Sequence, residues 1–267
     1  MRSSFWLTAA LIVAAPLSAL ALGDGAGTPP ANPPAGTPPA EGQQTKDAAA
    51  AQYMKDLKAQ LSKIADADAK TAIKKLVEIW KDKEVTDETK KAVPDLLEHF
   101  GRDDKALVAI DGLDALSELG AAEGTAPVLR ILDRALKAKD PSVDIYGSCL
   151  RALKKLADVK PATIKSLTDL LKSKYDDVVG KTADTISGYN NAPGKVRREL
   201  LEEVIKATEG TSGAAKDPKN AGQVRKWNII QTNVMSALKA LSGQQFKDVA
   251  EARTWFNQHK KDKSWDT

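Results

Sequence analysis

From Ala48 onward, apolar residues recur at intervals of three and four, as in Tyr53, Leu57, Leu61 and Ile64, and no stretch alternates with a period of two. Side chains three and four apart share one face of a helix, so this pattern predicts helix after helix and no sheet. Ala, Leu, Lys and Glu dominate the same region, and all four are strong helix formers.

A longer period lies over the helical one. Pro94, Pro127, Pro161 and Pro193 are separated by 33, 34 and 32 residues, and each stands just ahead of an amphipathic segment. Proline suits the first turn of a helix, where its missing amide hydrogen has no intrahelical acceptor, so these four are expected to open four equivalent helices. A second helix follows each, and the second helices align in columns. Leu76, Leu116, Leu153, Ile186 and Leu238 form one column; three residues later stand Ile79, Leu119, Leu156, Tyr189 and Leu241. Three residues earlier come Ile73, Leu113, Leu150, Ala183 and Met235, and one before those the smaller Ala72, Gly112, Cys149, Thr182 and Val234. An isolated helix pair leaves an apolar flank in water and buries it by stacking on the next pair. The columns predict an all-α chain: an α-solenoid of about five stacked helix pairs over 46–243. Asp103-Asp104, Asp140-Pro141 and Asp176-Asp177 are expected to cap or turn between paired helices.

Helix pairs of this length, with a proline opening the first and an Asp-rich turn leading into "LVAIDGLDALSELG" or "KDPSVDIYGSCLRALKKLAD", resemble HEAT repeats. The resemblance implies a stacked superhelix whose second helices line a concave side. One feature departs from it. HEAT repeats often carry an arginine early in the second helix, where this chain has Ala69, Ala109, Tyr146, Val179 and Gln231, so no arginine ladder is expected and armadillo-like or tetratricopeptide-like stacking stays open.

The two ends of the chain read differently. "MRSSFWLTAALIVAAPLSALAL" has a basic start at Arg2, an apolar run from Leu7 to Leu22 and a small-x-small site at Ala19 to Ala21, which predicts a signal peptide over 1–22 cleaved near Ala21 and an exported, periplasmic or secreted protein. The run is short and broken by Pro16, so no membrane span is expected. Residues 23–45 hold three Pro-Pro pairs among Ala, Gly and Thr, the composition of an extended linker. At the other end, residues 244–267 concentrate Phe246, Trp255, Phe256 and Trp265. Asp248 followed by Glu251 is a capping box, after which Val249, Ala252 and Phe256 share a face. Burying each ring is worth about 2–3 kcal/mol, so this segment is expected to be a terminal capping helix, with Trp265 beyond it as the freest ring and a ligand platform as the alternative. Residues 207–225, rich in Gly, Ser, Asn and Pro, are expected to form a surface loop.

Candidate chemistry is sparse. Cys149 is the single cysteine and has no intrachain disulfide partner; its place in the small-residue column makes it a packed thiol. His99 and His259 are far apart in sequence, and no zinc spacing, calcium loop, G-x-S-x-G or phosphate-cradling glycine loop occurs. Neither a cofactor nor a metal is expected. Without Arg2 the 40 basic residues become 39 against 36 acidic ones, a near balance that points away from nucleic acid. What remains is surface. Between the core columns stand Asp111, Asp114 and Glu118, then Arg151, Lys154 and Lys155, then Lys181 and Asp184, a sign change suited to holding a charged protein or peptide in a concave groove. The leading expectation is an exported, monomeric, non-enzymatic scaffold. The alternatives are an envelope structural protein tethered to wall polymer through the Pro-rich segment, and an enzyme similar to HEAT-like bilin lyases.

Overall fold

Thr45 opens the first helix by accepting a hydrogen bond from the Ala48 amide on its side-chain oxygen (3.2 Å). The computed structural model describes residues 45–265. The signal peptide and all but Thr45 of the Pro-rich linker expected from the sequence lie outside the described residues. Among these, the regular structure is entirely helical. The α-helices are α1 (Lys46–Gln60), α2 (Asp66–Lys81), the single turn α3 (Asp87–Lys90), α4 (Val93–Gly101), α5 (Ala106–Glu118), α6 (Ala121–Lys137), α7 (Val143–Leu156), α8 (Pro161–Leu170), α9 (Asp176–Ser187), α10 (Gly194–Ala214), α11 (Ala221–Ser242) and α12 (Val249–His259).

The aligned columns are the core. Leu76, Leu116, Leu153, Ile186 and Leu238 are all 1 % exposed or less, and of the other three columns every member but Met235 is buried. These side chains lie where α2 meets α5, α5 meets α7, α7 meets α9 and α9 meets α11. On the other side, α4 packs on α6 and α8 on α10, while α5 and α6 each pack on α7. Each buried Leu or Ile contributes about 1.5–3 kcal/mol, and consecutive helices share that burial.

Close approach and polar pinning set the fit. A Cβ on Gly112 would stand 2.6 Å from the Gly101 amide nitrogen, so only glycine lets α5 press on the end of α4. The Thr185 hydroxyl on α9 lies 3.0 Å from the Leu150 carbonyl of α7, an interhelical contact that fixes their register. Helix α7 stops at Ala157, whose φ of 44° is left-handed. That strained corner is held by Asp158, whose carboxylate accepts from Thr163 Oγ1 (2.6 Å) and whose carbonyl accepts from the Tyr189 hydroxyl (3.1 Å).

Several expectations need correction. Pro94 lies in the first turn of α4, Pro161 begins α8 and Pro193 caps α10, but Pro127 is inside α6. That helix starts earlier because Gly120, at φ 91°, provides a break open only to glycine. None of the turn aspartates is a side-chain N-cap. Asp103 accepts instead from the Lys105 amide, and Asp176 and Asp177 sit in the first turn of α9, where the helix dipole favours them. The loop expected over 207–225 is helical up to Ala214 and again from Ala221. Thr208 and Ser212 are buried there, and Thr208 donates back to the Val204 carbonyl (2.7 Å).

The extended end of α10 is the seat of α12. Arg253 reaches Glu209 (2.9 Å), Lys216 reaches Asp248 (2.8 Å), and Val249, Ala252 and Phe256 are buried. The first half of the capping box forms, Asp248 accepting from the Glu251 amide, while Glu251 accepts from the amide of Lys247, one residue before the cap. Phe246 packs on Trp255, whose ring stacks on His259 at 4.6 Å. Trp265 is not free. It is 5 % exposed, donates its indole N–H to the His259 carbonyl (2.9 Å), meets Trp255 edge-on and lies under the Arg197 guanidinium.

Two stability predictions follow from this packing. Gly112→Ala should lower stability by about 1–3 kcal/mol through overpacking. Gly210→Ala, in the interior of α10 with open space around its Cβ, should raise it by about 0.5–1 kcal/mol; urea midpoints compare the two. The Lys216 ammonium, then the Glu251 amide, hold the Asp248 carboxyl below its ordinary value of 3.8. A lowered folded-state value stabilises the protein above the ordinary one and ceases to do so as pH falls through the lowered one. Asp248→Asn should therefore cost about 0.5 kcal/mol at neutral pH, given solvent screening, and the gap from wild type should narrow as pH falls below the ordinary carboxylate value in the same urea titrations.

Candidate functional site

The charged residues singled out in the sequence stand two positions before and one or two after the core column, or five before it, so burial of the column turns them toward solvent. On α5, Asp114 and Glu118 are exposed and Asp111 is half-buried; on α7, Arg151 and Lys155 are exposed and Lys154 is half-buried; Lys181 and Asp184 on α9 are half-buried. All eight lie on the row formed by α2, α5, α7, α9 and α11.

The structure divides them into two groups. Lys154 and Asp184 pair across α7 and α9 (2.8 Å), and Lys181 runs past Gly147, where a Cβ would lie 3.4 Å from its Nζ. Arg151 turns back to donate to Ser148 Oγ (2.9 Å). Lys155 has no ion-pair partner among the described residues. The Lys154–Asp184 pair links α7 to α9, and such a partly exposed pair is worth at most about 1 kcal/mol.

The acidic trio belongs elsewhere. Asp111, Asp114 and Glu118 line one bank of a 460 Å³ groove between α2 and α5. The opposite bank carries Lys70, Lys74 and Lys81 together with Glu78, which pairs with Lys75 of its own helix (3.4 Å), and the floor is apolar, with Ile73, Val77 and Ala115. Lys81 crosses to Glu118 (2.5 Å), and at the other end of the two helices Lys105 crosses to Asp66. Sequence reasoning missed the lysine bank. The signal was available, since Lys74 occupies the register position of Asp114, Arg151 and Asp184 in the aligned second helices.

Cys149 lies where a small side chain was expected, fully buried between helices, and burial pushes its thiol up to about 12. His99 is exposed near the end of α4, edge-on to Phe100. His259 is occupied by the aromatic cluster, its Nδ1 lying 2.7 Å from the Trp255 carbonyl. Among the described residues no cluster of three or more His, Cys, Asp or Glu side chains is placed to hold a metal ion, and no helix is long and apolar enough to cross a membrane.

Comparison with protein-family models, with curated proteins and with solved structures returned no match to this chain.

The buried, mostly protonated thiol gives a direct test. Cys149 should remain unreactive toward a disulfide reagent such as DTNB at pH 8 in the native protein and titrate as one thiol in guanidinium chloride. Rapid native labelling would show that α7 does not pack as described.

Proposed function

We propose that this chain is an exported, non-enzymatic scaffold that binds a protein or peptide along the exposed face of its second helices. In this reading the helix pairs form an α-solenoid of about five HEAT-like units closed by α12. The contact order supports that arrangement: α2, α5, α7, α9 and α11 touch in sequence, with α4 on α6 and α8 on α10 behind them. The seat of α12 against α10 supports it too, because Phe246, Val249, Ala252, Phe256 and Trp265 join the same apolar core, as a closing helix on the flank of the α10–α11 pair would. The signal-peptide character of residues 1–22 supports export.

One observation carries the recognition role. A continuous row of helices presents exposed charges that change sign along it, acidic on α5 and mainly basic on α7, with Lys155, Asp111 and Asp114 outside any ion pair among the described residues. Such an order fixes the direction and register of a charged partner more than it adds raw affinity. The non-enzymatic reading rests on the same surface and on the withdrawal of the one thiol into the core.

A photo-crosslinking side chain at position 155, with the protein in cell-envelope extract, should trap one discrete adduct that disappears when Arg151→Glu is added. The same probe at position 165, on exposed Lys165 of α8, should trap none. A smear of adducts that grows with total protein at both positions overturns the proposal.

A further inference from the structure

The groove between α2 and α5 sets mainly lysines on one bank against carboxylates on the other. Its two ends are closed by ion pairs between the helices, Lys105 to Asp66 where both begin and Lys81 to Glu118 where both end. The helices therefore run side by side in the same direction. Between those clasps, Lys70 and Lys74 on one bank face Asp111 and Asp114 on the other, yet these four form no ion pair among the described residues, while Glu78, the one carboxylate of the α2 bank, is taken up by Lys75 of the same helix. Opposite charges at the ends close the gap; opposite charges in the middle stand apart across an apolar floor.

Spacing identifies what fits. Lys70 and Lys74 are four residues apart, Asp111 and Asp114 three, and Asp114 and Glu118 four, so charges recur along each bank once per helical turn. That pitch is about 5–6 Å, which a second helix reproduces along its own edges. An extended strand repeats its same-side residues at roughly 6.7 Å and drifts out of step within a few residues. The shorter bank, the 13 residues of α5, makes the trough about 20 Å long.

We infer that this groove receives an amphipathic helix with small apolar residues on its inner face, acidic residues along the edge beside α2 and basic residues along the edge beside α5. The inference deepens the scaffold proposal and rests on it for the role of the second-helix row as a recognition face. The incoming helix completes the half-used charges of both banks and covers Val77, the partly exposed member of the floor. Desolvation is modest because every charge involved stays at the rim, where mutual attraction sets orientation.

The test uses the full chain and three fluorescent, helix-stapled 16-residue peptides that share one Ala/Leu stripe. One has a glutamate edge and a lysine edge, one has glutamate on both edges and one has lysine on both. By anisotropy, the two-signed peptide should bind at least about tenfold more tightly than either other. Lys70→Glu with Lys74→Glu should move the preference to the lysine peptide. Asp111→Lys with Asp114→Lys should move it to the glutamate peptide. Lys70, Lys74 and Asp114 are exposed and Asp111 is half-buried, and a changed preference is a gain that misfolding does not mimic. Equal affinities for the three peptides, or a preference that neither double variant moves, overturns the inference. If the adduct at position 155 persists while the peptides bind alike, this groove assignment fails and the scaffold proposal stands. If the preferences shift as expected without that adduct, the groove assignment holds and the longer recognition face fails.

Discussion

On each of α2, α5, α7, α9 and α11, the apolar side chains spaced three and four apart need cover from outside their own helix, and the neighbouring helix of the row supplies it. Leu116 shows the constraint: it is fully buried, while Asp114 and Glu118, two positions to either side, lie in solvent. A short helix is marginal on its own, and packing of one face supplies most of its stability. The row is thus a condition for its members to be helical at all. Its outward face comes with it, because the register that buries one column turns the adjacent positions outward.

That coupling explains why much of the architecture could be read from the chain. Column residues are determined by period, and period survives changes of side-chain identity: Cys149, Thr182 and Gly112 share one position although they have little chemistry in common. The Asp248–Glu251 box was readable for a related reason, since both partners lie within one turn. Pro127 misled because a proline tolerated inside a helix has the same letter as one that begins it, and the deciding residue was Gly120, seven positions earlier. The 207–214 segment carries loop-like composition yet is helical because α12 lies against it, a contact made by residues some forty positions downstream. Trp265 was misjudged for the same reason: its partners, Arg197 and His259, come together only through the fold.

The charged face was readable residue by residue but not pair by pair. Eight positions were identified as outward, and all eight are exposed or half-buried. Which ones neutralise one another depends on the distance between helices. Lys154 and Asp184 meet, whereas Asp114 and Lys74 do not, and periodicity contains no information about that gap. The opposing bank on α2 was in register, with Lys74 at the position of Asp114, but register alone does not show that two banks face each other across a gap.

The two ends of the described chain are held very unequally. Helix α12 is anchored by Phe246, Trp255, Phe256 and Trp265, by a cap at Asp248 and by ion pairs of Arg253 with Glu209 and Asp248 with Lys216, while α1 buries Ala50, Met54 and Leu57 and is tied at its start by Asp47 to Thr86 and by Lys46 to Glu84. Amide exchange should therefore be faster in α1 than in α12. The clasped trough lies just inside that softer edge, so a helix seated there would also act as a brace against fraying.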